Sequence, residues 1–313
     1  MRQLLSVSAP IWVNQAAYHA RVLHGVLAAA VTPLSQDGGG LDLDAISPLV
    51  GFYAESGLDG LLCLGTTGEG VLLDVDERRQ VAESFVEAAA SRLQIAVHAG
   101  AQTTAATVKL AAHAAAAGAD AVAVIGPPYF QLDPAAIRKH FVAAAEACAP
   151  LPFYIYEFAA RSGYAVPPAL VEELRSAAPN LAGLKVSDTP WNRFAPYLID
   201  GLDVFIGPES LIGQGLEAGA AGVVSGLGAG FPELVVGFAG SRDPKLGEQL
   251  TQLREAFDKL PFQAALKWAL RMRGLPISAG VRSPLRGLTP DEEHMVEGLV
   301  SAWLASSSAA PAR

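Results

Sequence analysis

The segment Ala111–Val122, AAHAAAAGADAV, decides the fold. Its alanines favour a helix, and Gly118 follows them where a helix commonly ends in a left-handed residue. A β-branched run, DAVAVIG at Asp120–Gly126, begins directly afterwards. One short stretch therefore closes a helix and opens a strand. Leu216–Val224, LEAGAAGVV, repeats the pattern about a hundred residues later.

The same alternation fills the chain on either side of that segment. Apolar runs stand at Gly25–Val31, Leu58–Leu64, Leu93–Ala99, Asp120–Gly126, Pro152–Glu157, Leu181–Ser187, Leu202–Gly207 and Ala221–Gly226. They are continuous rather than alternating, as strands covered on both faces are. Helical stretches separate them: Leu43–Ser56, Val75–Ser91 (with Asp74 or Asp76 as cap), Thr103–Ala117, Pro134–Cys148, Pro167–Ala178, Glu209–Ala218 and Phe231–Gly240. The link from Asp188 to Leu198 is shorter. Eight strand–helix units in one chain predict a (β/α)8 TIM barrel with a C-terminal helical extension. An open doubly wound sheet fits less well. It usually has fewer strands, and GLGAG at Gly226–Gly230 lacks the spacing and the later acid of a dinucleotide site.

The expected organisation is an N-terminal extension over 1–22, the barrel over 23–240, a helical region over 241–305 and a disordered tail over 306–313. Within the helical region, Lys245–Gly274 and Thr289–Ala305 read as helices. With 313 residues and a net charge of −9, the chain can bury a large core and presents no basic face for nucleic acid. Its two cysteines, Cys63 and Cys148, sit in apolar contexts and make no disulfide framework, so a reduced, cytoplasmic setting is expected. No apolar run reaches the roughly eighteen residues of a membrane span, and the N-terminal stretch, broken by Pro10, is a poor signal peptide.

In a barrel of this kind the reactive groups stand where strands end and βα loops begin. Lys185, in LAGLKVSD, is the most informative of them. A lysine inside a buried strand must neutralise, pair or react. A free amine in a dry pocket suits Schiff-base formation with a ketone. The alternative is a buried pair with Glu157 or Glu209. Lys109, Lys139, Lys245, Lys259 and Lys267 fall on helical stretches and read as solvated. Tyr156 ends the neighbouring strand and can face Lys185, with a Thr66 or Thr67 hydroxyl completing a proton relay. GTTGEG at Gly65–Gly70 lacks the following Lys-Ser/Thr of a phosphate loop, so a carboxylate is its better ligand. Glu69 reads as ordering that loop. His98 ends the third strand with no second ligand at metal spacing, and no metal site is expected.

Together GTTGEG, GPPYF at Gly126–Phe130, YEFAARSG at Tyr156–Gly163, GLKVSD at Gly183–Asp188 and VRSPL at Val281–Leu285 resemble the dihydrodipicolinate synthase / N-acetylneuraminate lyase superfamily, in order and spacing. LAAAVTPL at Leu27–Leu34 resembles its first strand, and the likeness covers roughly Leu23 to Leu304. The resemblance implies a lysine Schiff-base aldolase with no metal or organic cofactor, commonly a tetramer. It makes Lys185 the Schiff-base lysine and Tyr156 the proton-moving tyrosine. Thr66 and Thr67 become the holders of the 2-oxo acid carboxylate, with Thr66 bonded to the tyrosine. Arg161 matches the arginine that grips the second substrate's carboxylate, and Gly207 and Val224 match pocket positions. Tyr129 and Glu157 fall on the substrate side.

The departures lie on that second side. Synthases of the family usually carry Tyr-Tyr where this chain has Tyr129-Phe130, and Tyr-Asn-Val-Pro where it has Tyr156-Glu157-Phe158-Ala159. The resulting expectation is a Schiff-base lyase acting on pyruvate or a related 2-oxo acid, as an aldolase or a dehydratase, with Glu157 reading the remainder of the substrate. 4-Hydroxy-tetrahydrodipicolinate synthesis and a non-catalytic barrel that binds a 2-oxo acid are the alternatives. The expected partner is the small-molecule substrate, with neither nucleic acid nor membrane, in a homo-oligomer.

Overall fold

The computed structural model describes residues 23–308; the expected N-terminal extension and residues 309–313 lie outside the described residues. Eight parallel strands close into one barrel in chain order. They are β1 Gly25–Ala29, β2 Gly60–Cys63, β3 Gln94–His98, β4 Ala121–Ile125, β5 Phe153–Glu157, β6 Leu181–Val186, β7 Asp203–Ile206 and β8 Gly222–Ser225. β8 returns to pair with β1, leaving no open edge.

The helices run in chain order as α1 Ile46–Glu55, α2 Val75–Ala89, α3 Thr104–Ala116, α4 Pro134–Cys148, α5 Ala159–Ser162, α6 Pro168–Ala177, α7 Trp191–Phe194, α8 Ile212–Glu217 and α9 Pro232–Ser241. After them come α10 Pro244–Phe257, α11 Phe262–Met272 and α12 Pro290–Ser308. Their starts follow the local chemistry. Asp74 and Glu77 form a capping box on α2, Thr103 caps α3, and Asp133 followed by Pro134 opens α4. Gly118 ends the opening segment with φ +87°, and β4 begins at Ala121.

Two expectations change. The helix expected over Lys245–Gly274 is two helices, α10 and α11, because Pro261 lacks the N–H that would continue the ladder. α12 runs to Ser308, three residues into the stretch expected as tail.

The two faces of each strand divide the core. Leu27, Ala29, Leu62, Ala96, Ala121, Ala123, Tyr154, Phe205 and Val224 fill the barrel interior. Their sequence neighbours, such as Ala28, Leu61, Val122, Ile155 and Val223, pack outward against the helices. Small residues on β3 and β4 make room for Tyr154 and Phe205, whose rings meet edge to face at 5.8 Å. Among the described residues no helix is long and apolar enough to cross a membrane.

Candidate active site

β5 and β6 bring the two central residues together. Their register pairs Tyr156 with Lys185, and both side chains are buried. Lys185 Nζ stands 4.0 Å from the centre of the Tyr156 ring and donates to Ser187 Oγ. Neither Glu157 nor Glu209 pairs with it. Glu209 instead accepts from Ser225 Oγ at 2.6 Å, Leu227 N at 2.9 Å and Arg254 at 2.9 Å.

Tyr156 Oη meets Thr66 Oγ1 at 3.1 Å. Burial raises the Tyr156 phenol, but the Lys185 charge and hydrogen bonds from Thr66, Lys185 and Ser187 outweigh it and hold the phenol below its ordinary range. The backbone N–H groups of Thr66 and Thr67 donate to no acceptor among the described residues. Two adjacent, unengaged N–H groups suit a carboxylate.

Thr66, Thr67, Tyr156, Arg161, Lys185, Gly207 and Val224 all line one cavity of about 650 Å³ at the strand C-termini. That volume exceeds what a three-carbon acid needs and falls in the range of pockets for larger ligands. The model of the dihydrodipicolinate synthetase family matches residues 22–303. The chain belongs to that family.

Among relatives in the family, an uncharacterized DapA-like lyase of Halobacterium salinarum is 36% identical over 288 residues, covering 88% of this chain and 92% of that one. A 4-hydroxy-tetrahydrodipicolinate synthase of Halorhodospira halophila is 33% identical, covering 86% and 93%. Among solved structures, a prophage protein of the dihydrodipicolinic acid synthase family from E. coli K12, in complex with pyruvate, matches with TM-score 0.84 and 25% identity, over 90% of this chain and 98% of that one. This chain is therefore a lyase of the dihydrodipicolinate synthetase family, built on its (β/α)8 barrel.

Two residues expected on the substrate side stand elsewhere. Glu157 does not line the cavity. Successive strand residues face opposite ways, so with Tyr156 inward Glu157 points outward, under the loop that follows β5. Its Oε2 accepts from Val166 N at 3.0 Å, and its Oε1 has no hydrogen-bond partner among the described residues. Tyr129 also misses the cavity. It is 86% exposed on the loop after β4, with φ +86°, and stacks edge to face on the exposed Phe130 at 4.9 Å.

Burial pushes the Glu157 carboxyl up to about 9; the Val166 N–H opposes this, and the neighbouring Asp188 adds to it. The unfolded chain releases this proton near 4.5, so between that value and 9 the folded protein binds more protons. Its stabilising contribution is complete below 4.5 and is lost as pH rises through 9. Glu157→Gln should therefore flatten the fall of Tm with rising pH between those values. At pH 8.5 the variant should melt above the parent, by ~1.5 °C per kcal/mol relieved. Parallel Tm–pH curves for parent and variant would refute a protonated Glu157.

His98 is a strut between strand ends. Its Nδ1–H donates to the Leu64 carbonyl at 3.0 Å and its Nε2 accepts from Ile125 N at 3.4 Å. Burial, then the Arg78 charge, lowers it to about 3, so the ring stays neutral. Lys267, expected to be solvated, is fully buried and bonded to Glu69. α11 carries it on the same face as the buried Ala264 and Leu270.

Other cavity residues escaped the sequence reading. Ser187 follows Lys185 by two, directly past the end of β6, so strand periodicity carried one residue further could have found it. Thr251, Arg254 and Glu255 come from α10, which roofs the cavity through the Arg254–Glu209 pair. Nothing local in the sequence marks them, because only the tertiary closure of α10 brings them there.

Proposed function

We propose that this lyase acts as a class I aldolase, forming a Schiff base between Lys185 and the ketone of pyruvate or a related 2-oxo acid. One observation carries the reading: inside the cavity, Lys185 Nζ lies 4.0 Å from the Tyr156 ring, and Tyr156 Oη meets Thr66 Oγ1 at 3.1 Å. An amine, a phenol and a hydroxyl in contact form the chain that carbonyl condensation needs.

The substrate carboxylate binds the Thr66 and Thr67 N–H groups. Lys185 passes its ammonium proton to the Tyr156 relay and attacks the ketone carbon, and the carbonyl electron pair moves to oxygen and takes a proton. Loss of water leaves an iminium. Its nitrogen draws electrons from the bond between C3 and C4 of a 4-hydroxy-2-oxo acid. That bond breaks, the C4 hydroxyl proton departs, an aldehyde leaves and an enamine remains. Protonation at C3 and hydrolysis release the shorter oxo acid and restore the amine. Run backwards, the same steps condense the enamine with an aldehyde; removal of a C3 proton from the iminium, followed by expulsion of the protonated C4 hydroxyl as water, gives dehydration instead. Tyr156, held below the ordinary phenol range, shuttles the protons. Arg161 faces the distal part of the substrate, and Gly207 and Val224 shape the pocket. The scheme uses no metal or organic cofactor.

The test is borohydride reduction in the presence of pyruvate, with the adduct located by peptide mass spectrometry. The expected adduct is on Lys185. Pyruvate bound without trapping would favour the non-catalytic barrel. Aldehydes and 3-deoxy-2-oxo sugar acids then separate aldolase from dehydratase. Condensation with aspartate semialdehyde is the second reading, favoured by Arg161 in the cavity wall. Phe130 offers no hydroxyl for its relay. A cytoplasmic homo-oligomer, dimer or tetramer, completes the proposal; both cysteines are free thiols, in keeping with a reduced compartment.

A further inference from the structure

The helix α11 lies outside the barrel, and no step of the proposed reaction uses it. Its side chains nevertheless grip the loop between β2 and α2. Lys267 Nζ stands 2.6 Å from Glu69 Oε1, and both side chains are fully buried. The same ammonium donates to the Gly280 carbonyl at 2.7 Å. The other carboxylate oxygen of Glu69 accepts from Arg282 N at 2.7 Å. One turn before Lys267, Gln263 Nε2 donates to the Thr66 carbonyl at 3.2 Å. One helix therefore holds the loop at two points.

That loop needs holding. Leu64 and Glu69 have φ +61° and +57°, conformations that non-glycine residues keep only when their surroundings fix them. The chain folds back tightly enough that a Cβ on Gly70 would lie 1.9 Å from the Leu64 carbonyl oxygen. Glu69 N donates back to Thr66 O and Gly70 N to Gly65 O, both at 3.3 Å. The fold presents two unengaged N–H groups and places the Thr66 hydroxyl on Tyr156. Movement of the loop displaces the carboxylate cradle directly, while Tyr156 stays fixed on β5 beside Lys185.

The geometry points to α11 as a positioning element of the site: Lys267, through Glu69, and Gln263, through the Thr66 carbonyl, set the Thr66–Thr67 cradle against Lys185 and Tyr156. This rests on the Schiff-base reading for its catalytic meaning. Glu69 does not line the cavity, so it acts through the loop and touches no substrate. The effect falls on capture of the 2-oxo acid more than on the covalent step.

Glu69→Gln and Gln263→Leu in the full chain test this, with pyruvate as the probe. Three quantities are measured: hydrogen exchange of residues 64–70, the calorimetric Kd for pyruvate, and the rate of borohydride trapping against pyruvate concentration. Each variant should exchange the loop faster and raise Kd and half-saturation ~10-fold, with the maximal trapping rate within ~3-fold, as expected for a displaced binding group. Faster loop exchange with unchanged Kd would reduce the contacts to a structural role and overturn the proposal. A raised Kd for Gln263→Leu without faster loop exchange would make Gln263 a direct ligand and overturn it equally. Should Glu69→Gln fail to fold, the half-buried Gln263→Leu decides alone. A wild type that binds pyruvate without trapping it refutes the Schiff base only; Kd and exchange still decide the positioning. A wild type that binds no pyruvate overturns both.

Discussion

Lys185→Met should lower turnover by ~10⁴-fold or more, the scale on which enzymes lose activity when a covalent nucleophile is removed. Methionine keeps an unbranched side chain of similar length in the space beside Tyr156, so the change removes the amine without opening a cavity. Stability should hold or rise slightly, because the lysine is buried with no ion pair among the described residues. Pyruvate binding should survive within ~10-fold, since the Thr66 and Thr67 N–H groups remain. A spectroscopic consequence accompanies the kinetic one. Burial already raises the Tyr156 phenol, and only the charge and hydrogen bond of Lys185, with Thr66 and Ser187, bring it down. Without Lys185, the Tyr156 phenolate should appear at higher pH in an absorbance titration. A variant with near-parental turnover would sink the Schiff-base scheme, whatever the titration gave.

The parts of the site that the sequence made legible share one property: they are local. The eight strands were readable because each is a short apolar run between helix-forming stretches, and the register that pairs Tyr156 with Lys185 follows from two adjacent strands ending level. Glu157 was misread although its evidence was also local. A residue next to an inward-facing Tyr156 on a strand must face outward, and the structure buries it there beside Asp188. Lys267 was misread for a related reason. Charge suggested solvent, while helical spacing put it in line with Ala264 and Leu270, both fully buried. The α10 contribution was not legible at all. Thr251 and Glu255 reach the cavity from α10, which is held by its buried Leu250, Leu253 and Phe257 and by the Arg254–Glu209 pair, contacts set by packing rather than by pattern.

Lys267→Met carries the largest expected loss of stability, ~3–5 kcal/mol, the cost of leaving one member of a buried ion pair alone. Both side chains are fully buried, and among the described residues Glu69 would keep only the Arg282 N–H as a donor. The Gly280 carbonyl would lose its bond to the ammonium as well. At about 1.5 °C per kcal/mol for a chain of this length, Tm should drop by roughly 5–8 °C. Replacing both partners, as Glu69→Leu with Lys267→Met, should recover part of that loss: the unpaired buried charge is gone, while the Arg282 N–H and the Gly280 carbonyl stay without these partners. Calorimetry on the parent, both single variants and the double variant measures the coupling; a double variant no more stable than Lys267→Met would refute the account. Stability and pyruvate capture should then separate. The double variant regains part of its stability but has no charge pair to pin the loop at Glu69, so its Kd for pyruvate should stay fully raised while its Tm partly returns. A pair that served the core alone would give back both.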